Sequence, residues 1–161
     1  MKSAALFPLV MAIGVAAAPA LSLAEGSEEN PEASQLDPDY AAGKKAIEAK
    51  EWNAAIKALS SAALRDTRNA DIQNYLGFAY RNAGNLDLAF RHYEKALQLS
   101  PRHRGAHEYV GEAYLMAGNL AKAEEHLAAL RAICLIECEE YEDLKAKIAA
   151  YRQRRSSSPP T

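Results

Sequence analysis

Gly43, Gly77 and Gly111 are spaced so that 77 − 43 and 111 − 77 both equal 34 residues, with no insertion between them. A unit of that length is too small to bury its own apolar face, so its stability comes from stacking on its neighbours. The period holds at other offsets. Ala46, Tyr80 and Tyr114 keep it, as do Trp52, Leu86 and Leu120, then Ala55, Ala89 and Ala123, then Leu59, Tyr93 and Leu127, then Ala62, Ala96 and Leu130. Small residues recur where two helices must approach closely, and large apolar or aromatic ones recur where gaps need filling. A chain of this kind presents a surface, and three units are near the minimum for a stable stack.

Within the middle unit, Ile72, Leu76, Ala79, Tyr80 and Ala83 fall at helical spacing. Gly84-Asn85 interrupts the pattern, and Leu86, Ala89, Phe90, Tyr93 and Leu97 resume it. That is a helix, a tight turn and a second helix. Glycine suits the left-handed conformation that ends a helix, and asparagine caps the next one through its side-chain oxygen. Gly118-Asn119 repeats the device, whereas Lys50-Glu51 occupies the first turn, where the backbone must avoid a positive φ or tolerate strain. Ser100-Pro101 closes the middle unit, because proline disfavours helical conformation in the residue before it. From Glu139 to Arg154, Tyr141, Leu144, Ile148 and Tyr151 fall on one side of a further amphipathic helix, which reads as a cap over the open end of the stack.

In the middle unit Leu76-Gly77, Tyr80, Ala89, Tyr93, Ala96 and Pro101 resemble the tetratricopeptide repeat, whose 34-residue pattern runs Leu-Gly, Tyr, Ala, an aromatic and Pro behind an opening Trp. Gln73 and His107 stand where that Trp would be. The first unit has Ala42 for Leu, Ala46 for Tyr and Thr67 for Pro, and the third has Leu135 for Pro. The resemblance covers residues 36–137 as units 36–69, 70–103 and 104–137. It implies an all-α, right-handed α-solenoid of three helix-turn-helix units, with 138–154 as the capping helix. In this family the first helices of successive units line a concave groove. By position the groove residues would be Tyr40, Lys44 and Ile47, then Asn74, Phe78 and Arg81, then Glu108, Glu112 and Leu115. Each unit thus offers an apolar or aromatic anchor position with charges around it, as peptide capture requires. Arg81 would sit beside Glu108 and Glu112, where they could neutralise one another. One subclass of the family grips C-terminal carboxylates with Lys, Asn and Arg side chains over three units. Lys44 is present, but Tyr75, Gly105 and Tyr109 stand where amide or basic groups would be needed, and that assignment is rejected.

The ends read differently. Met1-Lys2 precedes an apolar stretch from Ala4 to Ala20, and Ser22-Leu23-Ala24 offers a small-x-small cleavage site, so residues 1–24 resemble a secretory signal peptide. The stretch contains Pro8 and Gly14 and is short for a membrane span, which needs roughly 20 residues. The mature protein is therefore expected in the periplasm or outside the cell. Residues 25–35 are acidic and almost without apolar side chains, a disordered leader, and 155–161 form a Ser-Pro tail. The net charge of −2 becomes −3 once 1–24, carrying Lys2 and no acid, is removed, and no basic stripe points to nucleic acid. Arg152, Arg154 and Arg155 suit a solvated helix end.

Cys134 and Cys138 are the two cysteines and fall between the third unit and the cap. In an exported chain an even count favours a disulfide, with Leu135 to Glu137 leaving helical geometry to permit it. The short loop would contribute about 2 kcal/mol. The competing readings are unpaired thiols, a redox pair or a soft-metal site such as Cu(I), with His126 the nearest histidine in sequence. No motif links His92, His103, His107 or His126 to a nucleophile and an orienting acid, and Ser60 and Ser61 lie inside an amphipathic helix. Glu139, Glu140, Glu142 and Asp143 suit a helix N-terminus.

The expected function is a non-enzymatic scaffold in the bacterial envelope, without cofactor, that binds a protein or peptide in the groove. A thiol protein using Cys134 and Cys138 for copper handling or disulfide chemistry is the alternative, and self-association through exposed helix faces a third reading.

Overall fold

The computed structural model describes residues 37–136 and 138–157; the expected signal sequence 1–24 and leader 25–35 lie outside them. Seven helices and no strand are present among the described residues. They are α1 Pro38–Glu48, α2 Trp52–Arg65, α3 Ala70–Asn82, α4 Leu86–Leu99, α5 Arg104–Met116, α6 Leu120–Ile133 and α7 Glu139–Ser157. The three expected helix pairs are α1/α2, α3/α4 and α5/α6. The cap α7 runs three residues beyond Arg154.

Local chemistry sets the boundaries. Asp37 caps α1 by accepting from the backbone N–H groups of Asp39 and Tyr40, and Asn69, Asn85 and Asn119 cap α3, α4 and α6 in the same manner. His103 caps α5 with its Nδ1, which accepts from the N–H of Ala106 at 3.1 Å. Gly84 and Gly118 take the left-handed conformation at φ 85° and 77°, and Lys50 takes it in the first turn at φ 58°. The first turn thus tolerates the strain, and Glu51 provides no side-chain cap to α2.

The register lines become the core. Ala55, Ala89, Ala123, Leu59, Tyr93, Ala62, Ala96 and Leu130 are buried. A Cβ added at Gly43 would lie 2.5 Å from Leu59 Cγ, and one added at Gly77 would lie 2.5 Å from Tyr93 Cε1. Glycine at these positions lets the two helices of a unit close on a large side chain. In the third unit the partner changes. A Cβ at Gly111 would meet Leu144 Cδ2 of α7 at 2.6 Å, while Leu127, the register equivalent of Leu59 and Tyr93, is only half-buried. The cap therefore takes over packing that the earlier units satisfy internally, and Leu144 and Ile148 join Ala123 and Leu130 in one cluster.

Polar pairs fill the places of the missing tryptophans. Gln73 Oε1 lies 2.9 Å from His92 Nδ1 in the second unit, and His107 Nδ1 lies 3.0 Å from His126 Nδ1 in the third. In the first, Asp39 accepts from Ser61 Oγ at 2.7 Å and from Arg65 at 2.6 Å, while Arg65 also grips Asp37. Arg65 holds the Asp37 carboxyl down at about 2.

Curvature follows from which helices touch. Each first helix contacts the next, α1 with α3 and α3 with α5, whereas the second helices α2, α4 and α6 do not contact one another. Crowding on one side and splaying on the other bend the stack, so α1, α3 and α5 form the concave face. Helix α7 packs on both α5 and α6, in the place a fourth first helix would take.

Cys134 and Cys138 are joined by a disulfide, with Cα atoms 6.0 Å apart. Helix α6 stops at Ile133 and α7 starts at Glu139, and Leu135 and Ile136 leave helical geometry as expected, Glu137 lying outside the described residues. Leu135 and Ile136 stand at the tip of that closed loop, 97% and 85% exposed.

Candidate functional site

The nine groove positions form three registers at 34-residue spacing, and the structure brings them together on the concave face with unequal access. Tyr40 is buried against the first core cluster, and Ile47 packs against the same cluster. Lys44 is exposed, with its Nζ 5.7 Å from the centroids of both the Tyr40 and Tyr75 rings. At this distance the ammonium is attracted by the ring faces. Phe78 is half-buried between Trp52, at 6.1 Å, and Tyr109, at 4.9 Å between ring centroids. Leu115 is drawn against the cluster built around α7.

The central charges are spent on one another. Arg81 is buried, donates to Glu112 and to the Tyr109 carbonyl at 3.2 Å, and lies 5.1 Å from the centroid of the Phe78 ring. Glu112 also accepts from Lys147 of α7. Arg81 was a candidate groove cation; its guanidinium faces the protein's own acid and rings. The expected neutralisation takes place, with Glu112.

Glu108 has a different surrounding. It is 7% exposed, and its nearest cation is Lys147 at 3.9 Å, beyond hydrogen-bond reach. Burial, aided by the neighbouring charges of Glu112 and Asp143 and by a hydrogen bond with Glu112, pushes its carboxyl up to about 7 against the opposing charge of Lys147. Glu108 lines an open cleft of about 510 Å³ formed by α3, α5 and the start of α7. Asn74, 4% exposed, lines the same cleft, and its Oδ1 accepts no hydrogen bond. The other lining residues include Asp71, Tyr75, His103, Arg104, Gly105, Tyr109, Glu139, Glu140 and Asp143. His103 Nε2 lies 3.0 Å from Asp71 Oδ1; since its Nδ1 accepts from Ala106, Nε2 carries the proton and donates to Asp71. That bond holds the Asp71 carboxyl low. Arg104 approaches Glu140 at 3.5 Å. Five carboxylates, Asp71, Glu108, Glu139, Glu140 and Asp143, thus share the cleft with Arg104 and His103.

Of the nine groove candidates only Asn74 and Glu108 line this cleft; its other residues, Asp71, Tyr75, Tyr109 and Asp143 among them, are missing from the candidates. Tyr75 and Tyr109 are themselves 34 apart and neighbour Asn74 and Glu108, so the period contained that signal. Asp143 had none, because α7 belongs to no repeat. Burial holds the Tyr109 hydroxyl up at about 12.

The remaining candidates for chemistry are engaged elsewhere. The Cys134 and Cys138 sulfurs are bonded to each other, so neither is a thiolate in this state. His126 stacks on Tyr114 at 5.7 Å and pairs with His107. His107 Nε2 faces the Pro101 carbonyl at 3.1 Å, so its Nδ1 accepts from His126. Burial holds both rings below the usual histidine range, His126 at about 4. Among the described residues no helix is long and apolar enough to cross a membrane.

Residues 70–103 match the family model described as tetratricopeptide repeat. No curated protein sequence matches the chain. Solved structures of similar fold include the Yersinia enterocolitica type III secretion translocator chaperone SycD, at a TM-score of 0.68 and 17% identity over 77% of this chain and 88% of that one. PcrH in complex with the chaperone binding region of PopD gives a TM-score of 0.66 and 21% identity over 76% of this chain and 95% of that one. The TPR2B domain of yeast Sti1, in its complex with pHsp70, gives 0.66 and 20% identity over 77% and 97%. At such identities the likeness is one of fold. Residues 70–103 thus carry a tetratricopeptide repeat, and the chain shares the fold of solved tetratricopeptide-repeat structures.

Proposed function

We propose that the protein is a non-catalytic interaction module that binds a polypeptide along its concave face. The observation that carries this reading is the open cleft at the C-terminal end of that face, where Asn74 leaves an acceptor unmet and Glu108 is buried without a close cation, beside the rings of Tyr75 and Tyr109. An extended peptide supplies donors from its backbone and side chains together with apolar groups for the rings. PcrH holds a segment of PopD and Sti1 holds pHsp70 on the same fold, which supports a peptide as the occupant.

The same proposal puts the mature protein in the bacterial envelope, because residues 1–24 have the composition of a secretory signal. Mature protein whose N-terminal sequence begins at Glu25 would agree; a retained Met1 would not. Capture of the partner by the variant Lys44→Ala/Phe78→Ala should be weaker by roughly tenfold, the equivalent of about 1.4 kcal/mol, in a variant that a cooperative thermal transition shows to be folded. Undiminished capture by a folded double variant would contradict the groove.

A further inference from the structure

We infer that the C-terminal cleft of the concave face is a pocket for a basic side chain, arginine by preference, presented by an extended peptide. The inference rests on the peptide-binding reading above and specifies what that peptide must carry.

Two buried polar side chains line this cleft, Asn74 and Glu108. Asn74 is 4% exposed and its Oδ1 has no donor. Glu108, one unit later on the neighbouring first helix, has its closest cation 3.9 Å away. A buried acceptor without a donor is unfavourable by more than the usual worth of a hydrogen bond, so a ligand that supplies donors relieves a strain already present in the fold. A guanidinium has five N–H donors and no acceptor. It can donate to the carbonyl oxygen of Asn74 and to the carboxylate of Glu108 together, which a lysine ammonium, a compact point charge, does less well.

The surroundings favour the same sign. Asp143 brings a further carboxylate from α7 and makes no ion pair among the described residues. Gly105 contributes no side chain, and a Cβ built there would lie 3.3 Å from Asn74 Nδ2, so glycine keeps the approach to the amide open. Tyr75 and Tyr109 already hold Lys44 and Arg81 near their rings, at 5.7 and 5.5 Å. They therefore serve the methylene stem of the ligand side chain as apolar walls. An acidic side chain in this cleft would face Glu108 and Asp143 as like charges.

The test uses short immobilised peptides of defined sequence, in matched series that differ only in carrying Arg, Lys, Glu or Leu at one position. They are probed with the whole mature chain and with Glu108→Gln and Asp143→Asn, the latter an exposed substitution that leaves the core untouched. The expected result is binding enriched in Arg over Lys, absent for Glu, and weakened roughly tenfold in Glu108→Gln and several-fold in Asp143→Asn. Binding of the Glu or Leu series as strongly as the Arg series, or binding indifferent to both substitutions, overturns the basic-pocket inference and leaves a peptide groove standing. Failure of every series to bind overturns both.

Discussion

Glu112 and Glu108 lie one turn apart on α5, and the two ends of that turn have opposite electrostatics. At the centre of the concave face Glu112 is closed in by Arg81 from α3 and Lys147 from α7, and Arg81 is itself wrapped by Phe78 and Tyr109. One turn earlier Glu108 is as deeply buried but has Lys147 no nearer than 3.9 Å and the like-charged Glu112 as its hydrogen-bond neighbour, while Asn74 keeps an acceptor idle. The closed network fastens neighbouring units and the cap together; the open cleft is where a ligand has something to gain. A list of charged groove residues does not separate these roles, because burial and partner distance decide them.

Removing Arg81 should have the largest effect. Arg81→Ala leaves Glu112 with the half-exposed Lys147 as its cation beside Glu108 and takes a donor from the Tyr109 carbonyl, so urea denaturation should show a loss of about 3 kcal/mol; a loss below 1 kcal/mol would show the network to be dispensable. Glu108→Gln should act in the opposite direction and depend on pH. The folded-state value is raised from 4.5 to about 7, so ionising Glu108 opposes folding increasingly as pH rises through that interval, and the penalty is absent below it. The variant should match the parent near pH 4.5 and exceed it at about pH 8, by at most about 3 kcal/mol. A less stable variant at the higher pH would mean that Lys147 pairs with Glu108 more strongly than their distance implies.

Next in size, replacing Cys134 and Cys138 by serine frees the start of the helix that supplies both Asp143 and Lys147. The expected loss is about 2 kcal/mol, read by thermal unfolding, and no change would mean that packing of Leu144 and Ile148 suffices to hold the cap. Lys147→Ala should be the smallest, under about 1 kcal/mol, because the lysine side chain is about half exposed. It should also move the Glu108 titration upward, measurable by carbon NMR of the carboxyl, since Lys147 is a cation that lowers it.

The repeat period made much of this fold legible. It placed the three helix pairs, the two glycine turns and the lines of small residues, because each is a local demand repeated in register. The cap was legible as an amphipathic helix, yet its contact with Gly111 was not, since the period pointed to Leu127 and the structure uses Leu144. The first unit looked weak from Ala42, Ala46 and Thr67, and the clamp of Arg65 on Asp37 and Asp39 that fastens it spans a separation no helical pattern encodes. Tryptophan positions filled by Gln73–His92 and His107–His126 were visible as departures, but their pairing across the helices was not. In the groove, position gave the nine residues and could not tell Arg81, spent internally, from Glu108, left wanting. Asp143 entered the cleft from outside the repeats altogether.

A photoreactive amino acid placed in turn at Lys44 and Asp143 on the concave side, and at Glu94 and Lys95 on the exposed face of α4, tests the binding face directly. Polypeptide adducts in the cells of origin should form from the first two positions and be absent from the second two. Adducts confined to Glu94 and Lys95, or formed equally from both faces, would contradict a concave peptide site.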